Sequence, residues 1–174
     1  MEILTLIIKQ KFFDEIVSGK KKQEFRDCKP TTEARYLEMD EEGYAVFDDE
    51  GRNVMRHYDA IRFYVGYKKD RDTALVEVKG ARCDDVLDDD GNPVEYVIYN
   101  GQYFDMKMLR AMRLTDFPEG TLTKADKAVK QLADNMFLEN GEENEEWISR
   151  SGLDFWTPGI VTYDLGEILE VGKK

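Results

Sequence analysis

The stretch that decides the fold is residues 4–27, LTLIIKQKFFDEIVSGKKKQEFRD. Residues 2–8 form a short apolar run rich in β-branched side chains, which predicts a strand buried on both faces. Apolar side chains then recur at helical spacing over residues 12–17, and Gly19 stands where a helix would end in a left-handed cap. Residues 22–27 have extended character. A strand, a short helix and a second strand are therefore predicted in quick succession.

Further strands and a helical segment follow this opening. Residues 58–67 and 73–81 have strand character, and residues 160–171 return to it at the end of the chain. Between the last two of these strands, apolar side chains recur at helical spacing over residues 102–113 and 124–137. A helix soon after the first strand, several strands, a helical segment and a closing strand are typical of an α+β chain.

We therefore predict an α+β fold made of a small mixed sheet that curls towards a barrel. The length of 174 residues suits one domain, which we place at residues 1–174. A helical insertion is predicted at about residues 84–158.

Three acidic stretches share one turn pattern of carboxylates followed by glycine, at residues 40–43, 48–51 and 88–91. Asp/Gly pairs of this kind favour hairpin turns, and residues 44–47 between the first two have strand propensity. The third stretch resembles part of a calcium-binding EF-hand loop. Val86 and Val97 occupy the first and twelfth ligand positions of that loop, so a solvated turn is the favoured interpretation.

The charge of the chain is strongly acidic and unevenly spread. Its net charge is −12, from 25 basic and 37 acidic residues, which opposes broad attraction to nucleic acid. Residues 9–29 nevertheless carry seven Lys or Arg against four Asp or Glu, whereas residues 84–150 carry seven against sixteen. A polyanion is therefore expected to meet the N-terminal third first.

Several classes of site and location are not expected. No apolar run is long enough to cross a bilayer, and residues 1–10 lack the features of a signal peptide, so a cytoplasmic protein without a membrane partner is predicted.

Cys28 and Cys83 with the single His57 cannot form a usual zinc site, and both thiols are expected to be buried or half-buried. We predict neither a metal nor a cofactor.

Residues 19–27, GKKKQEFRD, have a spacing with geometric consequences. In an extended strand Lys22, Glu24 and Arg26 point to one face, and Lys21 can lean over the same place. A lysine beside a glutamate is a candidate proton-transfer pair, and the arginine fork suits a carbonyl, a phosphate or a base edge. The alternative is an exposed salt bridge on a strand, of little energetic consequence.

The same residues carry a resemblance to a known family. Residues 4–27 look like the opening of an ASCH-domain protein, a member of the PUA-like superfamily, whose hallmark is G-x-K-x-x-E-x-R after a strand and a short helix. Gly19, Lys21, Glu24 and Arg26 match that hallmark in full. Residues 61–80 and 163–170 are also similar to the family.

The resemblance implies a small β-barrel with a cleft lined by the motif residues, and an association with RNA. One bacterial branch of the family hydrolyses acetylated cytidine with a lysine at the position of Lys21, a threonine at that of Glu24 and a later glutamate. The carboxylate of Glu24 cannot reproduce the alcohol chemistry of threonine.

Two functions from different classes therefore stay open at this point. The first is a PUA-like binding module for RNA, a nucleotide or a modified nucleoside, with Lys21, Glu24 and Arg26 in the cleft. Tyr67 could stack on a base there and Lys68 could meet a phosphate. The alternative is a small amidohydrolase acting on an acylated nucleoside, with Lys21 and Glu24 as the catalytic proton-transfer pair.

A protein partner is a further possibility. The acidic helical segment at residues 102–146 could dock a basic partner.

Overall fold

The computed structural model describes every residue from Met1 to Lys174. The chain falls into two compact units, of which the first is formed by Met1–Asp84 with Gly159–Lys174 and the second by Asp85–Pro158. In no part of the structure is a helix both long and apolar enough to span a membrane.

The elements of the first unit are, in chain order, β1 Ile3–Ile8, α1 Gln10–Val17, β2 Gln23–Cys28, α2 Glu33–Tyr36, β3 Ala60–Val65 and β4 Thr73–Asp85. Those of the second unit are β5 Tyr96–Tyr99, β6 Gln102–Asp105, α3 Met106–Leu114, α4 Lys124–Met136, α5 Glu145–Ser151 and β7 Asp154–Trp156. The chain then returns to the first unit as β8 Gly159–Gly172. The α+β class predicted from the sequence is confirmed.

The first unit is built on one mixed sheet with the strand order β1-β3-β4-β8-β2. β1 runs parallel to β3, β3 runs antiparallel to β4, and β2 runs antiparallel to β8. The edge strands β1 and β2 are not paired with each other, so no closed barrel forms. The barrel predicted from the sequence is therefore not confirmed.

An arginine nevertheless joins the two edges of this sheet. Nη2 of Arg26, on β2, donates to the carbonyl oxygen of Ile7, on β1, at 3.0 Å. In a flat sheet, strands four steps apart lie about 19 Å from each other, far beyond the reach of one side chain. The sheet is therefore strongly curled, and its two edges come close together at Arg26 and Ile7.

The core of the first unit lies on one side of β1. Leu4, Leu6 and Ile8 are buried together with Phe13 and Ile16 of α1. The alternate residues of β1 are exposed or half-buried, so the predicted burial of both faces is wrong. The reason is that β1 is an edge strand of a sheet whose inner side alone faces the core.

The second unit has a core and a sheet of its own. Its strands follow the order β6-β5-β7, and its helices bury Leu109, Leu132, Met136 and Phe137 against Val97 of β5. The stretch predicted as a helical insertion therefore contains a three-stranded sheet as well as helices.

Two local predictions need correction. Residues 102–105, predicted as the start of a helix, form the strand β6, because Asp105 caps α3 by accepting from the amide of Met108. Residues 44–47, predicted as a strand, make only isolated bridges, from Ala45 to Met39 and from Phe47 to Asn53.

The acidic turns use their leading carboxylates as backbone acceptors. Oδ1 of each leading aspartate accepts hydrogen bonds from two backbone amides, those of the residues two and four positions later in the chain. The three aspartates are Asp40, Asp48 and Asp88. These backbone hydrogen bonds lower the pKa of Asp48 and of Asp88 below the ordinary range. The turns predicted at these positions are therefore confirmed, and in each of them the aspartate carboxylate is bound by backbone amides of the same turn.

Gly159 makes room for a pair of thiols. It pairs with Cys28 across β2 and β8, and a Cβ at Gly159 would lie 2.7 Å from Sγ of Cys83. Cys28 is buried and Cys83 is half-buried, as predicted. The hydrogen bond with Cys83, followed by burial, raises the pKa of the Cys28 thiol, which keeps it protonated near neutral pH.

Candidate ligand site around Lys21

The end of α1 positions Lys21. Gly19 has a φ of +78°, the left-handed conformation predicted for it, and its amide donates to the carbonyl of Ile16. The amide of Lys21 then donates to the carbonyl of Glu15, at 2.9 Å. The chain thus turns back over the end of the helix, and this turn places Lys21 directly before β2.

Glu24 is the centre of a buried ionic cluster. It is only 5% exposed, and its two carboxylate oxygens receive different cations. Nζ of Lys21 lies 3.2 Å from Oε2, and Nη2 of Arg26 lies 2.8 Å from Oε1. The three residues singled out by the spacing of the sequence are therefore brought together. They form a buried network and not the exposed salt bridge considered as the alternative.

Arg26 is engaged by the protein itself. Its Nη2 contacts both Glu24 and the carbonyl of Ile7, and its Nε is buried without a hydrogen-bond partner. These contacts tie β2 to β1 and to the carboxylate. Contact between Arg26 and a ligand stays a prediction, because Nη2 is bound within the protein and the buried Nε has no partner.

Lys21 is the member of the cluster that lies against exposed aromatic rings. Its ammonium lies 5.5 Å from the ring centroid of Phe12 and 5.3 Å from that of Phe25, within the range of cation–π contacts. Phe25 is 53% exposed and Phe12 is 40% exposed. The site therefore combines one cation with two accessible aromatic faces.

The first of two hollows beside Lys21 is polar and aromatic. It is an open depression with a volume of about 460 Å³. Its lining residues come from the α1–β2 turn, from β2 and from β8; they are Lys21, Lys22, Gln23, Phe25, Asp164 and Leu165.

The second hollow adjoins the first and is more cationic. It has a volume of about 310 Å³ and shares Lys21, Lys22 and Leu165 with the first. β4 adds Lys79, and β8 adds Glu167. Three lysines and Glu167 line this hollow, but Lys21 is paired with Glu24 and the carboxylate of Glu77 adjoins the hollow at Gly166. Lys22 and Lys79 are therefore the cations that this hollow offers to an anion.

Tyr67 and Lys68 lie in the turn between β3 and β4 and line neither hollow. Tyr67 is 86% exposed. In the same region, the guanidinium of Arg71 stacks on Tyr64 at 4.1 Å and donates to the carbonyl of Gly66. The structure does not bring the predicted stacking and phosphate-contacting residues to Lys21, and their role as ligand contacts stays a prediction.

Sequence reasoning missed Phe12, Phe25 and Lys79 as site residues. A signal existed for Phe25, because strand alternation turns it outward when Glu24 and Arg26 point inward. A large apolar side chain on the exposed face of a charged strand is typical of a contact surface. Lys79 had no local signal, since it comes from a distant part of the chain.

Each oxygen of Glu24 contacts one cation, and the buried carboxylate lines neither hollow. A general base must lie within hydrogen-bond reach of the proton it takes. The cluster therefore fits a role in holding Lys21 in place better than a role in proton transfer.

Comparisons with known proteins leave the site to be interpreted from its own geometry. No protein-family model matches this chain, no curated protein matches it, and no solved structure matches it.

Proposed function

We propose that the first unit is a binding module of the PUA-like kind and that the hollows beside Lys21 bind a nucleotide or nucleoside, either free or as an unpaired base of RNA. One observation carries the proposal. The ammonium of Lys21 stands between two exposed phenyl rings, where an anion-favouring hollow adjoins an aromatic one.

The chemistry of nucleotides suits this arrangement. Every base has a π face that stacks on aromatic side chains, and every nucleotide carries a phosphate that lysine binds. A ligand with only one of these features would leave one hollow without a complementary group.

Two features support the PUA-like assignment. Gly19, Lys21, Glu24 and Arg26 fulfil the motif of that superfamily, and the bond from Arg26 to Ile7 is what a sheet curling towards a barrel would need at its edges. Glu24, held by two cations, favours binding over hydrolysis. Turnover of an acylated nucleoside would replace this proposal with the hydrolase alternative.

The salt dependence of binding tests the proposal. We expect a nucleotide or a short single-stranded RNA to bind with an affinity that falls only about threefold per contacted phosphate between 50 and 200 mM salt. A site of this size contacts one or two phosphates, so the total loss should stay below about tenfold. Isothermal titration calorimetry at several salt concentrations measures this loss. A loss of several hundredfold would indicate a long phosphate track and contradict a compact site.

A further inference from the structure

We infer that the second unit docks a basic peptide segment of another protein, on the face of its three-stranded sheet that lies opposite its helices. The inference does not depend on the proposed function, because that function concerns the first unit alone.

Three aromatic rings gather on one face of this sheet, one from each strand. Trp156 of β7 lies directly opposite Tyr96 of β5, and the two rings stack with their centroids 5.4 Å apart. Tyr103 of β6 meets Trp156 edge to face, at 5.7 Å. Ile98 lies opposite Tyr103 in the register of β5 and β6, so it belongs to the same face. These four residues form a surface that we call the aromatic patch.

The helices of the unit cover the other face of the sheet. Val97, which lies between Tyr96 and Ile98, is fully buried and packs in the core with Leu109 of α3. Because successive residues of a strand point to opposite sides, the aromatic patch points away from this core. None of its four residues belongs to the core of the unit, and Tyr103 is 48% exposed. Aromatic side chains grouped outside a core are typical of a contact surface.

The charge of the unit identifies the kind of partner. Residues 85–158 carry seven Lys or Arg against sixteen Asp or Glu, a net charge of −9. Asp154 is exposed and lies opposite Ile98, on the same face as the rings. The ion pairs of the unit use other carboxylates, namely those of Asp88, Asp90, Asp134 and Glu146. Asp154 therefore offers the aromatic patch a negative charge that no cation of the unit offsets.

A basic peptide satisfies both the rings and the charge. Lysine and arginine are attracted to the faces of Trp and Tyr rings, they pair with carboxylates, and their aliphatic stems cover apolar surface. Single-stranded nucleic acid also stacks on aromatic rings, but its phosphates would be repelled by a unit with a net charge of −9. A second copy of the chain, with a net charge of −12, is disfavoured for the same reason.

Tryptophan fluorescence tests the inference on the full chain. The chain has two tryptophans, so the variant Trp147→Phe leaves Trp156 as the single reporter. A decapeptide of alternating arginine and serine is expected to change the emission of Trp156 saturably at about 150 mM salt. A matched decapeptide of alternating glutamine and serine should leave the emission unchanged. The anisotropy of the labelled arginine peptide with the unmodified chain should give the same affinity.

Two variants and two matched controls place the peptide on the aromatic patch. Tyr103→Ala should weaken peptide binding about two- to fivefold, the range for one exposed cation–π contact, and Asp154→Asn by a similar factor. Phe155→Ala alters an exposed ring of the same strand as Trp156, but on the face of Val97. Glu139→Gln removes an exposed charge elsewhere in the unit. Both controls should preserve the affinity.

Several results would overturn the inference. They are binding of the arginine peptide without a change in the emission of Trp156, equal losses in the patch variants and their controls, equal binding of the glutamine peptide, and absence of binding. Tighter binding of single-stranded decauridylate than of the arginine peptide at Trp156 would assign the aromatic patch to nucleic acid instead. None of these results bears on the hollows beside Lys21, so the proposed function would stand or fall separately.

Discussion

Replacing Arg26 with alanine is expected to lower the free energy of unfolding by about 1.5–3 kcal/mol, the usual cost of losing a hydrogen bond to a charged group. Glu24 is 5% exposed and would keep only Lys21 as a counter-charge. The same change removes the hydrogen bond to the carbonyl of Ile7, which joins the two edges of the curled sheet. Urea unfolding monitored by circular dichroism measures the loss.

Arg52→Ala is the matched control for this prediction. Arg52 also pairs with two carboxylates, those of Asp48 and Glu50, but its side chain is 69% exposed. Exposed pairs contribute less than about 1 kcal/mol, so this variant should unfold almost as the unmodified protein does. Equal losses in the two variants, or a loss below about 1 kcal/mol for Arg26→Ala, would show that the cluster does not hold the sheet together.

Lys21→Met is expected to weaken nucleotide binding by about 10- to 150-fold, the range for losing a hydrogen bond to a charged group. Methionine keeps an unbranched apolar side chain near the rings of Phe12 and Phe25, so the loss should reflect the missing ammonium. Calorimetric titration with AMP measures the change.

Loss of Lys21 also leaves Glu24 with a single cation, so the folded state needs its own control. The remaining pair of Glu24 and Arg26 is neutral, so urea unfolding of Lys21→Met should stay cooperative and close to that of the unmodified protein. Lys20→Met changes an exposed neighbour and should preserve affinity. Unchanged affinity in Lys21→Met, or a loss of the same size in Lys20→Met, would place the ligand elsewhere.

Local patterns in the sequence were sufficient to predict much of the N-terminal unit. The left-handed cap at Gly19 depends on a few neighbouring residues, and the convergence of Lys21, Glu24 and Arg26 follows from the turn and the period of two along a strand. These predictions succeeded because the interactions that determine them are close in sequence.

Other features depend on contacts between distant parts of the chain. The bond from Arg26 to Ile7 exists only because the sheet curls, and Lys79 reaches the second hollow only because β4 lies beside β8. The strand at residues 102–105 carries apolar spacing that also suits a helix, and its pairing with β5 decides between the two. The sequence alone contains no local signal for these arrangements.

The most direct test of the central claim is a ¹⁵N NMR titration of the full chain with AMP. Amide shifts are expected to cluster at residues 19–25 and 164–168 and at Lys79, the segments that line the two hollows. Shifts confined to the turn at residues 67–71 or to residues 85–158, with residues 19–25 unaffected, would contradict the assignment of the ligand site to Lys21.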